Sequence, residues 1–341
     1  MFILALLGLS KKVKNSLTSI KTGGLFIFPK SSANVFSWGK EIRRRTYTHE
    51  VTLKLFITQF ITSDRSCHDA ISRFNASRAA NGLAPVSLNT GAYCRARAKI
   101  TKNGLEQSAK QIYSEIENNV PAAQLWRGKH IVVIDGTTFS MADTPSNQEA
   151  FPQHGNQKLG CGFPLCRAVA LFSLHTGAIV DFKAAPYQGQ GNGELSLASK
   201  LLSTLGKNEI VLGDALYSSY FVMASLILQG TDFVFHACGS RKIDFRKGYR
   251  VGKYDHIVCL KKPQKPKGMD RKMYDQLPDE ISVRISKTKL NIPGSRVKAL
   301  TTISSFIDSK KATKDELALL YKKRWFGELF LRNIKASMGM A

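Results

Sequence analysis

Acidic side chains are scarce in this 341-residue sequence: 25 Asp and Glu stand against 50 Lys and Arg, a formal net charge of +25. Such an excess repels itself and is tolerated mainly by proteins that meet a polyanion, where released counterions drive binding. Nucleic acid is the expected partner. Acidic membrane is the rival, and no basic amphipathic helix large enough to favour it is present. Long apolar runs are also missing. Phe2 to Leu9 is apolar, but a membrane span needs about 20 residues. Lys11, Lys12 and Lys14 follow that run, the wrong order for a secretory signal. The six cysteines, at 67, 94, 161, 166, 238 and 259, include no Cys-x-x-Cys pair and no Cys/His zinc spacing. The expectation is reduced, mostly buried thiols in a cytoplasmic protein. Gly-x-Ser-x-Gly, His-Glu-x-x-His and the kinase signatures are absent as well. The glycines of Gln188-Gly-Gln-Gly-Asn-Gly-Glu lack dinucleotide or P-loop spacing, so a strand-to-helix turn is their simplest reading. His154 and His236 read as structural or surface residues.

What is present is a set of acids in particular places. The run His130-Ile-Val-Val-Ile-Asp is β-branched and ends in Asp135; Glu209-Ile-Val-Leu-Gly-Asp is a second such run and ends in Asp214. Near the C-terminus, Thr313 with Glu316 reads as a capping box, and Leu317, Leu320, Phe326, Leu329, Phe330 and Ile334 recur at helical spacing. On one continuous helix, Tyr321, Arg324, Glu328 and Lys335 fall within about 60° of arc and share a stripe. Gly327 inside that helix costs about 1 kcal/mol against Ala, so close packing at its backbone is expected. A solvated charged face would explain the stripe alone. Three carboxylates delivered by two strand ends and a later helix instead make an oxygen-donor site suited to Mg²⁺ or Mn²⁺.

These residues resemble the DDE transposases of bacterial insertion sequences, specifically the insertion sequence 4 family, through the Tyr, Arg, Glu, Lys spacing. The likeness extends over Asp135-Gly-Thr-Thr, Asp143-Thr-Pro-Ser-Asn-Gln, Gly162-Phe-Pro, Gly193-Glu-Leu-Ser and Asp214 with Tyr217. The resemblance implies an RNase H-like mixed sheet flanked by helices, and DNA transposition by metal-dependent strand cleavage and strand transfer. Asp135, Asp214 and Glu328 would be catalytic and would hold two Mg²⁺ or Mn²⁺ ions, Asp135 bridging them. Tyr321, Arg324 and Lys335 would contact DNA phosphates, although Lys335 also suits the negative end of a helix dipole. The partners implied are the element's terminal inverted repeats, target DNA and a second copy of the chain on DNA, in the nucleoid of a bacterial cytoplasm. Two departures stand out. Ala215 follows the second Asp where relatives commonly carry a basic residue, and six residues follow Lys335 where they continue. The chain therefore reads either as an active transposase or as a truncated, inactive DNA-binding remnant. A host RNase H-like nuclease is disfavoured by the four-residue helix pattern.

Along the chain, residues 1 to 45 read as an extension without a fold of its own, closing on the basic run Glu41-Ile-Arg-Arg-Arg. Residues 46 to 125 read as helical: His49 to about Thr62, Cys67 to about Ala80 with Ile71 and Phe74 inward, and a third helix from Asn89 with Arg95, Arg97 and Lys99 exposed. These helices fit a DNA-binding bundle or a helical cap on the catalytic domain. Residues 126–238 and 301–341 would form the RNase H-like domain. Its strands are expected near 131–139, 165–174, 178–184, 209–213 and 231–237, and its helices near 194–205 and 218–229. Residues 239 to 300 read as a β-rich insertion before the last helix. There Arg241, Lys242, Arg246, Lys247, Arg250 and Lys253 either follow a phosphate backbone or decorate the outer face of a ribbon.

Overall fold

A computed structural model describes residues 46–289 and 299–338. The expected N-terminal extension with its basic run, part of the insertion and the last three residues lie outside the described residues. The described residues divide into two compact units, one holding residues 46–119, Thr176–Ile179 and residues 332–338, the other Val120–His175 and, from Val180 to Leu331, residues 180–289 and 299–331.

In the first unit, α1 (His49–Ile61), α2 (Cys67–Ala80), α3 (Gly91–Arg97) and α4 (Lys102–Asn118) follow one another, α4 being a helix the sequence reading did not single out. Polar caps fix three of the starts: the hydroxyls of Thr48, Ser66 and Thr101 accept the backbone N–H of Val51, Asp69 and Gly104. Leu55, Ala70, Ile71, Phe74 and Tyr93 pack together between the first three helices. Arg97 departs from expectation. Its guanidinium lies over the rings of Phe56 and Tyr93 and donates to Gln59 Oε1 at 3.1 Å, an acceptor shared with the Tyr93 hydroxyl at 2.9 Å. A long aliphatic stem ending in a flat cation covers apolar surface well, so this arginine packs inward while Arg95 and Lys99 stay exposed.

The second unit is built on one sheet. Strands β1 (His130–Ser140), β2 (Leu165–Ser173), β3 (Ile179–Pro186), β4 (Glu209–Gly213) and β5 (Asp232–His236) alternate with α5 (Pro145–Ala150), α6 (Glu194–Ser199) and α7 (Tyr220–Gln229). Then come β6 (Tyr249–Gly252), β7 (Asp255–Lys261), α8 (Arg271–Gln276), β8 (Glu280–Lys289), β9 (Ala299–Ser304), α9 (Lys314–Lys322) and α10 (Trp325–Met338). The strand order is β3-β2-β1-β4-β5-β9-β8-β7-β6. β1 and β2 run antiparallel, whereas β1, β4 and β5 run parallel, the RNase H-like arrangement. The β-rich insertion does not form a separate sheet: β9 pairs antiparallel with β5, and β8, β7 and β6 extend the same sheet outward from it.

The period of two along each strand sorts the core into two faces. Ile131, Val133, Ile210, Leu212 and Val234 pack with Ala312, Leu317 and Leu320 at α9. The intervening Val132, Ile134, Val211, Phe233 and Phe235 are buried on the opposite face. The capping box at Thr313 is present, the Thr313 hydroxyl accepting from Glu316 N–H and the Glu316 carboxylate accepting from Thr313 N–H.

The insertion is tied to α9 from inside. Arg284 on β8 forms a bidentate pair with Asp255 on β7, at 2.7 and 2.6 Å, and donates to the carbonyls of Ala312 and Phe306. Both side chains are buried. Of the six insertion cations, Arg241 turns inward and donates to the Ser218 carbonyl at 2.9 Å, whereas Lys242, Arg246, Lys247, Arg250 and Lys253 are exposed. The cysteines are free, but only Cys166 is buried, while Cys161 and Cys259 are exposed, which corrects the expectation of mostly buried thiols. Among the described residues no helix is long and apolar enough to cross a membrane.

Candidate active site

Strand pairing brings the first two carboxylates together. β1 and β4 run parallel with Val133 opposite Leu212, and two further residues at the same offset carry Asp135 level with Asp214. Neighbouring strands lie about 4.8 Å apart. β4 and β5 pair Leu212 with Val234, so that offset in turn places His236 beside Asp214. Parity decides the face: Asp135, Asp214 and His236 fall on the side of Val133, Leu212 and Val234, where α9 packs.

Asp135 lies within β1, which runs on to Ser140 instead of ending there as expected, and Asp214 directly follows β4; each carboxylate is held by a backbone donor. Gly136 N–H donates to Asp135 Oδ1 at 3.0 Å, and Leu216 N–H donates to Asp214 Oδ1 at 2.8 Å, Asp214 thereby capping a 3₁₀ turn over Ala215–Ser218.

The third carboxylate arrives on a helix that is not continuous. The expected single helix breaks between α9 and α10. Arg324 N–H bonds the Tyr321 carbonyl, Phe326 N–H that of Lys323 and Gly327 N–H that of Arg324, a tight i to i+3 run. Tyr321 therefore ends α9, Arg324 lies in the junction, and Glu328 and Lys335 share α10. Glu328 and Lys335, seven residues apart, still share a face of α10, but Tyr321 and Arg324 reach the site by a turn and not by a common stripe. Gly327 lies just past the break. A Cβ there would stand 2.5 Å from Val133 Cγ1, so α10 starts in direct contact with β1, two residues before Asp135. The close packing expected at Gly327 is present.

Arg324 Nη2 donates to Glu328 Oε1 at 2.5 Å, and its guanidinium lies 5.9 Å from the Tyr321 ring centre. The Tyr321 ring is 6.2 Å from that of His236. Asp135 feels the whole group. Burial, chiefly, pushes its carboxyl up to about 6; Asp214 and Glu328 raise it further, while Arg324 and the Gly136 N–H oppose them. His236 is pushed down by burial and by Arg324, against the pull of Asp214. Three carboxylates from β1, the end of β4 and α10 thus share one electrostatic neighbourhood. All-oxygen donors with a half-buried, like-charged member suit a hard divalent cation, which would relieve both the repulsion and the cost of partial burial.

Two further groups approach from behind the sheet. Glu194, the first residue of α6, lies so close to Gly136 that a Cβ there would stand 2.4 Å from its carboxylate carbon. Tyr217, fully buried, donates its hydroxyl to Glu194 Oε1 at 2.7 Å. Sequence reading missed the placement of Glu194 and of His236. For His236 the signal was available: a parallel strand beside the one ending in Asp214 must present its own last residue there. For Glu194 no local pattern separates it from an ordinary acid in a first helical turn.

A family profile described as "Transposase DDE domain" matches residues 126–341. The chain is 26% identical over 226 residues to "Transposase InsG for insertion sequence element IS4" from Escherichia coli (strain K12), covering 66% of this chain and 48% of that protein. It is 25% identical over 191 residues to "Putative transposase InsZ" of the same organism, covering 55% of this chain and 60% of the relative. The chain thus spans between about half and three-fifths of the length of these relatives. With the family match running from the strand that carries Asp135 through the helix that carries Glu328, the chain belongs to the transposase DDE domain family.

Proposed function

We propose that this protein is an insertion-sequence transposase that cuts and joins DNA strands at the site formed by Asp135, Asp214 and Glu328. The observation that carries this reading is the strand register that sets Asp135 level with Asp214, together with the seating of α10 against Val133 at Gly327, the residue before Glu328. Asp135, Asp214 and Glu328 would hold two Mg²⁺ or Mn²⁺ ions. Bound divalent ions supply charge neutralisation and activation of the attacking and leaving oxygens in phosphodiester displacement.

The chain's own groups orient the reactants. Gly136 N–H and Leu216 N–H fix one oxygen each of Asp135 and Asp214. Arg324 holds Glu328 and has further guanidinium donors for a DNA phosphate. Tyr321 and Lys335 are further proposed phosphate contacts. In the first step a water oxygen attacks phosphorus and the 3′-oxygen leaves, giving a 3′-hydroxyl and a 5′-phosphate. In the second that 3′-hydroxyl attacks a target phosphodiester and releases the target's 3′-oxygen. Bond number is conserved, and no nucleotide is consumed. The net charge of +25 supplies the long-range attraction to duplex ends. On such DNA a second copy is proposed to pair with the first.

The test is purified protein with Mg²⁺ and a duplex bearing the element's terminal inverted repeats. Nicking that disappears in Asp135→Ala, Asp214→Ala and Glu328→Ala, with duplex binding retained, is the expected result. Binding without nicking by the unmutated chain would reject the enzyme and leave a DNA-binding remnant.

A further inference from the structure

We propose that Glu194 is a positioning residue for the carboxylate site, a brace that sets the spacing of Asp135 and Asp214 from the opposite face of the sheet. The inference rests on the reading of those acids as metal ligands.

The geometry is specific. Parity puts Gly136 on the sheet face opposite Asp135, and Gly213 on the face opposite Asp214. Glu194 fills the space a side chain at Gly136 would occupy. The Tyr217 ring lies against Gly213, where a Cβ would meet Tyr217 Cδ2 at 2.9 Å together with Ile134 and Phe235. The hydroxyl-to-carboxylate bond of 2.7 Å joins these two fillers. One clamp therefore presses on β1 at Gly136, whose N–H orients the Asp135 carboxylate, and on Gly213, the last residue of β4 and the neighbour of Asp214. Neither Gly136 nor Gly213 has a positive φ, so what each position uses is lack of bulk and not backbone freedom. On the far side of the backbone, Glu194 acts through Gly136 and Tyr217 and not as a ligand. Mg²⁺ demands near-ideal octahedral geometry, so a loosened Asp135–Asp214 spacing penalises Mg²⁺ strongly. Supports of this kind typically change metal affinity by about 10- to 100-fold when removed.

The experiment measures Mn²⁺ binding to the DNA-free chain by electron paramagnetic resonance, alongside nicking as a function of Mg²⁺. Glu194→Ala is expected to weaken Mn²⁺ binding about 10-fold or more and to raise the half-saturating Mg²⁺ further still. Glu194→Gln keeps an oxygen that accepts from Tyr217 and should remain within about 3-fold of the parent. Tyr217→Phe retains the buried ring, removes only the hydroxyl, and should reproduce the Glu194→Ala defect even where the alanine variant does not fold. Parental Mn²⁺ binding in Glu194→Ala or in Tyr217→Phe overturns the proposal. So does a Gln variant as weak as the Ala variant, because charge and not bracing would then be the requirement. Asp135→Ala separates the two levels: if it binds Mn²⁺ as the parent does, the carboxylate reading itself fails, whatever Glu194 does.

Discussion

Gly327→Ala tests the junction that aims Glu328. Two effects oppose each other. Replacing glycine inside a helix gains about 1 kcal/mol. The new methyl would lie 2.5 Å from Val133 Cγ1, deep in the sheet-facing core, and overpacking of this kind costs about 1–3 kcal/mol. The clash wins, with a net loss of up to about 2 kcal/mol. Val133→Ala alone removes two buried methyl groups at about 0.8 kcal/mol each, with a cavity cost on top. In the double variant the clashing methyl is gone, and the nearest remaining partner is Val133 Cβ at 3.4 Å, an ordinary contact. The double variant should therefore be more stable than the sum of the singles by about 1–3 kcal/mol. Urea unfolding followed by circular dichroism, in chelator, gives the three free energies. Mn²⁺ binding should follow the same pattern, weak in Gly327→Ala and improved by adding Val133→Ala, because Glu328 is the next residue. Additivity within about 0.5 kcal/mol would show that Val133 and Gly327 do not meet, and the account of how α10 is seated on β1 would fall.

Asp255→Ala strands the Arg284 guanidinium in the core and should cost about 3–5 kcal/mol, seen as a large drop in the urea midpoint; a loss below about 1 kcal/mol would mean the pair is not buried as described. In chelator, Asp135→Asn should raise the melting temperature at pH 7.5. Folding lifts this carboxyl to about 6 from an ordinary 3.8, so the native state binds the proton more tightly and the charged form penalises folding above the shifted value. The advantage of the Asn variant should shrink as pH falls through 6 and vanish by about pH 4; an Asn variant less stable than the parent at pH 7.5 contradicts this. Arg97→Ala should lose about 1–2 kcal/mol through its ring contacts, against less than about 0.5 kcal/mol for the exposed Arg95→Ala. Equal effects in thermal unfolding would argue against the packing role of Arg97.

Much of this molecule is legible before folding is considered. The β-branched runs that carry Asp135 and Asp214 emerge in β1 and β4, which start at the runs' first residues, His130 and Glu209; β4 ends one residue before Asp214, whereas β1 runs on through Ser140 because it stays paired with β2 there. The capping box at Thr313 reads equally well, being local chemistry. The break after Lys322 does not. Lys323-Arg324-Trp325-Phe326 contains no Pro or Gly, and the close contact that follows, Gly327 against Val133, joins residues nearly two hundred positions apart. Arg97 misleads for a related reason: an arginine in a basic helix looks solvent-directed until rings from two other turns are found beneath it. The back-face clamp of Glu194 and Tyr217 is a tertiary object altogether.

The place of β9 carries a consequence for synthesis on the ribosome. β5 pairs on one side with β4 and on the other with β9, Val234 facing Ser304, so this second edge waits while the whole excursion through β6, β7 and β8 is translated. A nascent chain that has already emerged past His236 displays two of its three acids and an uncapped ribbon of amides. The final acid follows only after β9 has sealed that ribbon. On this order of events the three acids stand together only once α10 has been translated.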